Sequence, residues 1–417
     1  MRRMKVSSLY ETMDLTQLPK NLPVPDADML AHSQQLTVHI RQCMAQAGGE
    51  IPFEQFMHLA LYAPGLGYYS AGARKFGECG KFGEWGDFIT APEISSVFSQ
   101  CLASNCRAVL DGLGGGCILE IGAGSGAMAR DILLSLEEQN SLPDQYFILE
   151  VSADLRARQR DSIEATAPHL LDRVDWLDSL PVSGFQGIVL GNEVVDAMPV
   201  HLFRMEDAQT VSEAYVTWQG DGFAYRYHPK NEGPLFDYVM ALKQSLPEDT
   251  LYSGYVSEVN LQSRAWMQSL ANMLERGAVL LLDYGFPQQE FYHHDRSMGT
   301  LMCHYRHHSH DNPLILLGLQ DITAHVDFSA LAAFGHNAGL NLAGYTTQSH
   351  FLLASGLDAV VAASDMSDMH RHMELMQQVK KLVMPNEMGE LFKAIAWVKQ
   401  YDGTLPGFAQ HDLSERL

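Results

Sequence analysis

The chain reads as an α/β protein: an open, mostly parallel sheet with helices packed on it. Three observations predict this. A strand–turn–helix unit spans Cys117 to Glu138, several later apolar runs of strand length end on polar or acidic residues, and 46% hydrophobic content over 417 residues is ample for a large core. In the first unit C-I-L-E-I supplies a buried strand, Gly122, Gly124 and Gly126 the turn, and Met128, Ile132, Leu133 and Leu136 a helical face. Such a turn is expected to hold a nucleotide-like cofactor.

Gly122, Gly124 and Ala127 satisfy the relaxed dinucleotide pattern G-x-G-x-x-A, so NAD is one candidate. Glu120 argues for another. At the carboxyl tip of the strand its carboxylate would face the bound group, and two unit charges ~4 Å apart at an effective dielectric of ~20 interact by about 4 kcal/mol. That repels a pyrophosphate and attracts a cation. S-adenosyl-L-methionine carries both an ammonium and a sulfonium, so E-x-G-x-G-x-G favours it, with NAD as the rival and a purely structural glycine turn as the plainer account.

The formal charge of −22 comes without a Lys/Arg stripe, which disfavours nucleic acid and suits a basic protein segment or a cationic substrate. No apolar run reaches membrane-spanning length and no stretch reads as a signal peptide. Arg2, Arg3 and Lys5 are followed at once by Glu11 and Asp14, so a cytoplasmic protein is expected. Six cysteines form no C-x-x-C pair or zinc spacing and are read as reduced thiols.

In chain order, residues 1–33 read as a flexible arm. Residues 34–110 form a helical and loop region covering the cofactor site, with helical patterns between Gln34 and Tyr62 and an ordered Gly- and aromatic-rich loop at Gly65 to Gly86. A helix then runs from Thr90 to about Leu110, where Thr90 and Glu93 fit a capping box or, alternatively, point into the cofactor site. Residues 111–401 carry the main sheet, with insertions at about 205–257, 286–325 and 349–385, and 402–417 form a frayed tail. Gln145 to Val151 is a second strand whose terminal Glu150 is placed to take two ribose hydroxyls. Arg173 to Leu177 is a third, with Asp178 at its tip to meet an adenine amino group.

The fourth strand, Gly187 to Gly191, runs into Asn192, Glu193 and Asp196. If a short helix follows, the two acids share one face; the bland account is that Asn192 caps that helix and the acids complement its dipole. A hairpin is predicted at Ala214 to Tyr227, helices at about 232–246 and 257–275 with Glu258 and Asn260 opening the second, and a fifth strand at Gly277 to Asp283. The insertion after it holds His293, His294, His304, His307, His308 and His310 but no recognisable ligand spacing, so no metal site is predicted and a substrate-covering loop is preferred. A helix follows Asp321 to Phe328, a sixth strand spans Asn341 to Thr347, helices with Met373, Met376 and Val379 on a packing face span about 349–383, and Phe392 to Lys399 is a seventh strand.

From Gly65 to Lys399 the chain resembles the MidA-like class I methyltransferases, whose mitochondrial member assists assembly of respiratory complex I by symmetrically dimethylating an arginine. The resemblance rests on G-D-F-I-T-A-P-E-I-S at Gly86, L-E-I-G-A-G-S-G at Leu119, F-I-L-E-V-S at Phe147, G-N-E-V-V-D-A-M-P-V at Gly191, L-D-Y-G at Leu282 and D-I-T-A-H-V-D-F at Asp321. It implies a seven-stranded, Rossmann-like methyltransferase sheet with an added helical, loop-rich lobe. S-adenosyl-L-methionine would be held by Glu120, Gly122, Gly124 and Gly126 at its methionyl part and by Glu150 at its ribose. Thr90, Glu93, Asn192 and Glu193 would shape the methyl-transfer pocket. It also implies a protein substrate with an accessible arginine, such as a respiratory-complex subunit. Acidic side chains can grip a planar guanidinium bidentately and orient one nitrogen, and Glu193 and Asp196 are the candidates, with Glu258 third. A small-molecule N- or O-methyltransferase and a cofactor-binding assembly factor are the alternatives.

Overall fold

The structure, a computed structural model, describes residues 19, 21–71, 90–364 and 368–417. The basic start, Cys79 and all but the first residues of the Gly/aromatic loop lie outside them. The chain divides into two compact units, each assembled from three stretches: Met1–Phe88, Ala197–Gln262 and Tyr292–Ala324 in one, Ile89–Asp196, Ser263–Phe291 and His325–Leu417 in the other.

The second unit holds the large sheet. Its strands in chain order are β1 (Cys117–Ile121), β2 (Tyr146–Leu149), β3 (Val174–Leu177), β4 (Phe185–Asn192), β5 (Leu274–Phe286), β6 (Asn341–Thr347) and β7 (Phe392–Lys399). Their order across the sheet is β6-β7-β5-β4-β1-β2-β3, with a two-residue strand, Val326–Asp327, added on the end of β5. Neighbours from β5 to β3 are parallel, and β7 is antiparallel to both of its neighbours. This matches the predicted mostly parallel α/β sheet, with the short Val326–Asp327 strand as an eighth member beside the seven predicted. The order reverses between β1 and β4, the place where open α/β sheets bind ligands beyond the carboxyl ends of their strands.

Helices cover this sheet because their apolar faces continue its core. Val97, Phe98, Cys101, Leu102 and Val109 of the helix Ser96–Leu113 and Met128, Ile132, Leu133 and Leu136 of Ala127–Glu138 are buried with Ile118, Ile148, Ile188 and Leu280. The helix predicted from Thr90 is broken: Ala91–Ile94 forms one turn, Ser95 is extended (φ −159, ψ 136), and its hydroxyl caps the longer helix by accepting from Val97 N–H.

Two further expectations change here. Val379 packs inward as expected, but Met373 and Met376 are 57% and 43% exposed, because the helix Met369–Val383 turns Leu375 and Leu382 inward with Val379 instead of them. The tail is packed rather than frayed. Leu405 and Phe408 are buried, Tyr401 Oη donates to Ala108 O at 2.9 Å, and Leu413 N–H donates to Tyr345 O of the edge strand β6 at 2.6 Å. Unpaired edge groups are satisfied this way.

The first unit was expected to be helical and loop-rich. It contains the helices Ala27–Gln46, Phe53–Tyr62 and Pro234–Ser245, and also a five-stranded antiparallel sheet. The first helix starts seven residues earlier than predicted because Asp26 caps it, accepting from Met29 N–H at 2.9 Å. In the sheet, Glu50–Pro52, Val211–Gln219, His201–Met205 and Val256–Val259 pair in that order, and Gly222–Lys230 completes the predicted hairpin with Val211–Gln219. Glu258 therefore lies in a strand, not at a helix start; Val256 to Val259 is too short for its period to separate the two forms. The helix begins later, at Gln262.

In the His-rich insertion Met302–Tyr305 pairs with His308–His310 and with Asp321–Thr323, so the helix after Asp321 starts only at Phe328. Among the described residues no helix is long and apolar enough to cross a membrane.

Candidate functional site

The glycine turn leaves the tip of β1 with Gly122, Gly124 and Gly126 all at positive φ. At Gly126 an added Cβ would lie 2.9 Å from Gln159 Cα, so glycine is needed for the approach of the helix Ala153–Thr166. At Gly124, φ +52, an added Cβ would meet no atom of the described residues within 4 Å. The turn thus keeps an open face, which fits a cofactor lying against its backbone.

Glu120 departs from the simple picture. It is 1% exposed and its Oε2 accepts from Tyr146 Oη at 2.5 Å, while burial pushes its carboxyl up to about 7. The full negative charge assumed above is thus only half present at neutral pH in the free protein. A carboxyl raised in the fold favours folding fully below the unfolded value near 4.5, and that contribution is lost as pH rises through 7. Glu120→Gln should therefore remove a stability loss of about 3 kcal/mol between pH 5 and pH 8, read from urea melts at the two pH values. An unchanged pH slope would refute this.

Glu150 directly follows β2 and is buried, with Oε1 accepting from Ser152 N–H at 2.9 Å and Oε2 from Gln159 Nε2 at 3.1 Å. Each oxygen retains a second lone pair, enough for a diol. Burial raises this carboxyl as well. Arg156 ties the tips of β2 and β3, donating to Glu150 O and Leu177 O, and pairs with Asp178 at 2.7 Å. The Asp178 side chain is 92% exposed.

Glu93 reaches back to the Thr90 backbone amide, which forms half of the predicted capping box; the Thr90 hydroxyl makes no cap bond. Glu93 also bonds the Ser125 hydroxyl, tying this helical turn to the glycine turn. Burial raises its carboxyl above the ordinary value.

Beyond β4 no helix forms. Asn192 is the last strand residue, Glu193 takes a left-handed conformation at φ +52, and residues 194–199 turn irregularly. A left-handed non-glycine residue costs about 1–2 kcal/mol, so something must hold it. Glu193 N–H donates to Leu282 O at 2.9 Å, and Asp283 Oδ2 accepts the amides of Val194, Val195 and Asp196 at 3.2, 2.9 and 3.3 Å. Asp283 is buried at 1% and its Oδ1 accepts from Tyr284 N–H. Asn192 therefore caps no helix.

The Asn192 amide instead donates to Glu193 Oε1 at 3.1 Å, and its own Oδ1 is buried with no hydrogen-bond partner among the described residues. Ala91 N–H donates to the Glu193 carboxylate, and Val194 Cγ2 stands 3.6 Å from where a Gly122 Cβ would be. Burial first, then the charges of Asp196 and Asp283, hold the Glu193 carboxyl well above its usual range. Three sequence-distant segments, Thr90 to Glu93, Gly122 to Gly126 and Asn192 to Asp196, are thus brought together at the β1/β4 switch point.

Glu258 sits in the other unit. Its Oε1 accepts from Thr300 and Leu301 N–H at 2.7 and 2.8 Å and its Oε2 from Ser257 Oγ at 3.2 Å, so it fastens the 299–301 turn to its strand. His293, His294 and Asp295 present polar atoms within 4.8 Å of one another on the surface, with His294 Nε2 paired to Asp295 Oδ1 at 2.9 Å. Asp295 is an acid neighbour that spacing rules did not flag. Asp283 was also overlooked as a site residue, although its position at the end of a buried strand on the cofactor rim was a usable signal.

Residues 101–346 match the family model described as "Putative S-adenosyl-L-methionine-dependent methyltransferase". A curated relative, protein arginine methyltransferase NDUFAF7, mitochondrial, of Danio rerio, is 28% identical over 83% of this chain and 83% of its own. The homolog of that protein in Drosophila melanogaster is 26% identical over 84% and 81%. A crystal structure of a Burkholderia thailandensis protein bound to S-adenosyl-homocysteine is 43% identical, with a TM-score of 0.88, and the match covers 95% of this chain and 100% of that one. The curated relatives are named as mitochondrial proteins, which overturns the cytoplasmic placement. Free thiols and the lack of a spanning run suit any reducing aqueous compartment and could not separate the two. With more than half its length matched by the family model and a solved relative sharing the fold from end to end, the chain belongs to this family of S-adenosyl-L-methionine-dependent methyltransferases.

Proposed function

We propose that the protein transfers methyl groups to an arginine side chain of a protein substrate. The observation carrying this is the buried acid group at the switch point, Glu193 with Asp196 and Asp283, beside an open glycine turn. The curated relatives named as protein arginine methyltransferases support it. A respiratory-complex subunit with an accessible arginine is the partner the MidA-like resemblance suggests.

When bound, the cofactor supplies an electrophilic methyl group on a sulfonium. Gly122, Gly124 and Gly126 would let the backbone approach its methionyl part with Glu120 behind them, and Glu150 would take the ribose hydroxyls. Asp178 would meet the adenine amino group, and Thr90, Glu93 and Asn192 would line the transfer side. A guanidinium has a pKa of about 12.5 or above and no free lone pair. Glu193 and Asp196 grip the planar cation and orient one nitrogen toward the methyl carbon. Glu193, its proton affinity raised by burial and two like charges, then takes the departing proton. Glu258, the third candidate acid, anchors the 299–301 turn.

Gly124→Asn, with a residue that tolerates the left-handed region at φ +52, should weaken S-adenosyl-homocysteine binding at least tenfold by calorimetry while the melting temperature falls only a few degrees, since its side chain would enter the open face. Equal affinity would place the cofactor elsewhere. The activity is tested with methyl-labelled S-adenosyl-L-methionine and a lysate of cells lacking the protein. A labelled protein band yielding methylarginine on hydrolysis supports the reading. A labelled small molecule, or no label, overturns it.

A further inference from the structure

From the bond pattern at the carboxyl end of β5 we infer that Asp283 is a positioning residue for the transfer reaction, fixing the backbone turn that carries Glu193 and Asp196. The inference rests on the activity proposed above. One carboxylate oxygen gathers three consecutive amides, those of Val194, Val195 and Asp196, and the other takes the amide of Tyr284 next to it in β5. An irregular turn cannot satisfy its amides through a helix or a ladder, so side chains or water must do so, and here the acceptor is the Asp283 carboxylate.

Rigid placement is what this achieves. β5 is hydrogen-bonded on both sides, to β4 and β7, so Asp283 projects from one of the best-anchored strands in the sheet. The turn begins immediately after the left-handed Glu193, whose own amide is held by Leu282 O. Two consecutive β5 residues thus clamp both sides of Glu193. The Glu193 carboxylate is thereby presented to Asn192 Nδ2 and Ala91 N–H, on the cofactor side of the sheet rim. Freed of the clamp, Glu193 would relax to negative φ and swing its carboxylate away from that position. A group misplaced by about 1 Å costs roughly a hundredfold in rate.

The test is Asp283→Asn, which keeps the volume but supplies a single acceptor oxygen. The variant is expected to melt cooperatively and to bind S-adenosyl-homocysteine within threefold of the parent. Its transfer of labelled methyl to lysate protein should fall at least thirtyfold, and the amides of Val194 to Asp196 should exchange with deuterium at least tenfold faster. In a Glu193→Asp background the same change should cost no more than twofold, because Glu193 is already misplaced. Transfer within twofold of the parent, a full thirtyfold loss in the Glu193→Asp background, or a tenfold loss of S-adenosyl-homocysteine binding would each overturn the assignment. If the parent itself labels nothing, the proposed activity fails, and amide exchange alone decides: unprotected Val194 to Asp196 amides in the parent protein refute the clamp. That last measurement also decides the matter if the variant does not fold.

Discussion

Glu193→Gln is expected to lower methyl transfer by about 10²- to 10⁴-fold, the range for removing a positioned general base, while S-adenosyl-homocysteine affinity stays within a few-fold. The amide side chain has nearly the shape of the carboxylate. Its oxygen can still accept from Asn192 Nδ2 at the present 3.1 Å or from Ala91 N–H, and Asp283 still holds the following turn. What disappears is the charge that pairs with a guanidinium and the basic oxygen that takes its proton. Rates with the labelled lysate protein and calorimetric titrations together check this. A large loss of cofactor affinity would instead make Glu193 a cofactor ligand.

Phe408→Ala should destabilise the fold by about 3–5 kcal/mol, the usual cost of deleting a buried phenylalanine ring. The ring centroid lies 5.4 Å from that of Phe351, and a Cβ on Gly344 of the edge strand would come within 2.4 Å of Phe408 Cγ, so the ring fills the space that glycine leaves. Gly407 N–H also donates to Asn105 Oδ1 at 3.0 Å, fixing the segment to the helix Ser96–Leu113. Urea melts measure the effect. A change under about 1 kcal/mol, typical of an exposed site, would show that the tail is loosely attached.

The large sheet was legible because its strands are apolar runs stopped by glycine or acids, and β6 and β7 fall on the predicted residues, Asn341–Thr347 and Phe392–Lys399. Contacts made across the sheet were not legible. Asp283 gathers amides some ninety residues earlier in the chain, and no local pattern records such a partner. The direction of Glu120 was hidden too: alternation along β1 says that a side chain faces one side of the sheet, not that Tyr146 Oη waits there. The antiparallel sheet of the first unit was missed where strands such as Val256–Val259 span four residues, too few for a period of two to be told from 3.6.

Each unit being threaded from three separated stretches has a consequence for how the protein forms. No contiguous fragment contains one whole unit without segments of the other, and one cut after Thr347 would lack β7, which lies between β5 and β6 in the large sheet, leaving β6 with no strand beside it. Most stabilising pairings close long loops, so contact order is high and refolding should be slow compared with a helical protein of equal size. Shortening the chain toward a minimal catalytic piece is accordingly a poor route to a stable enzyme.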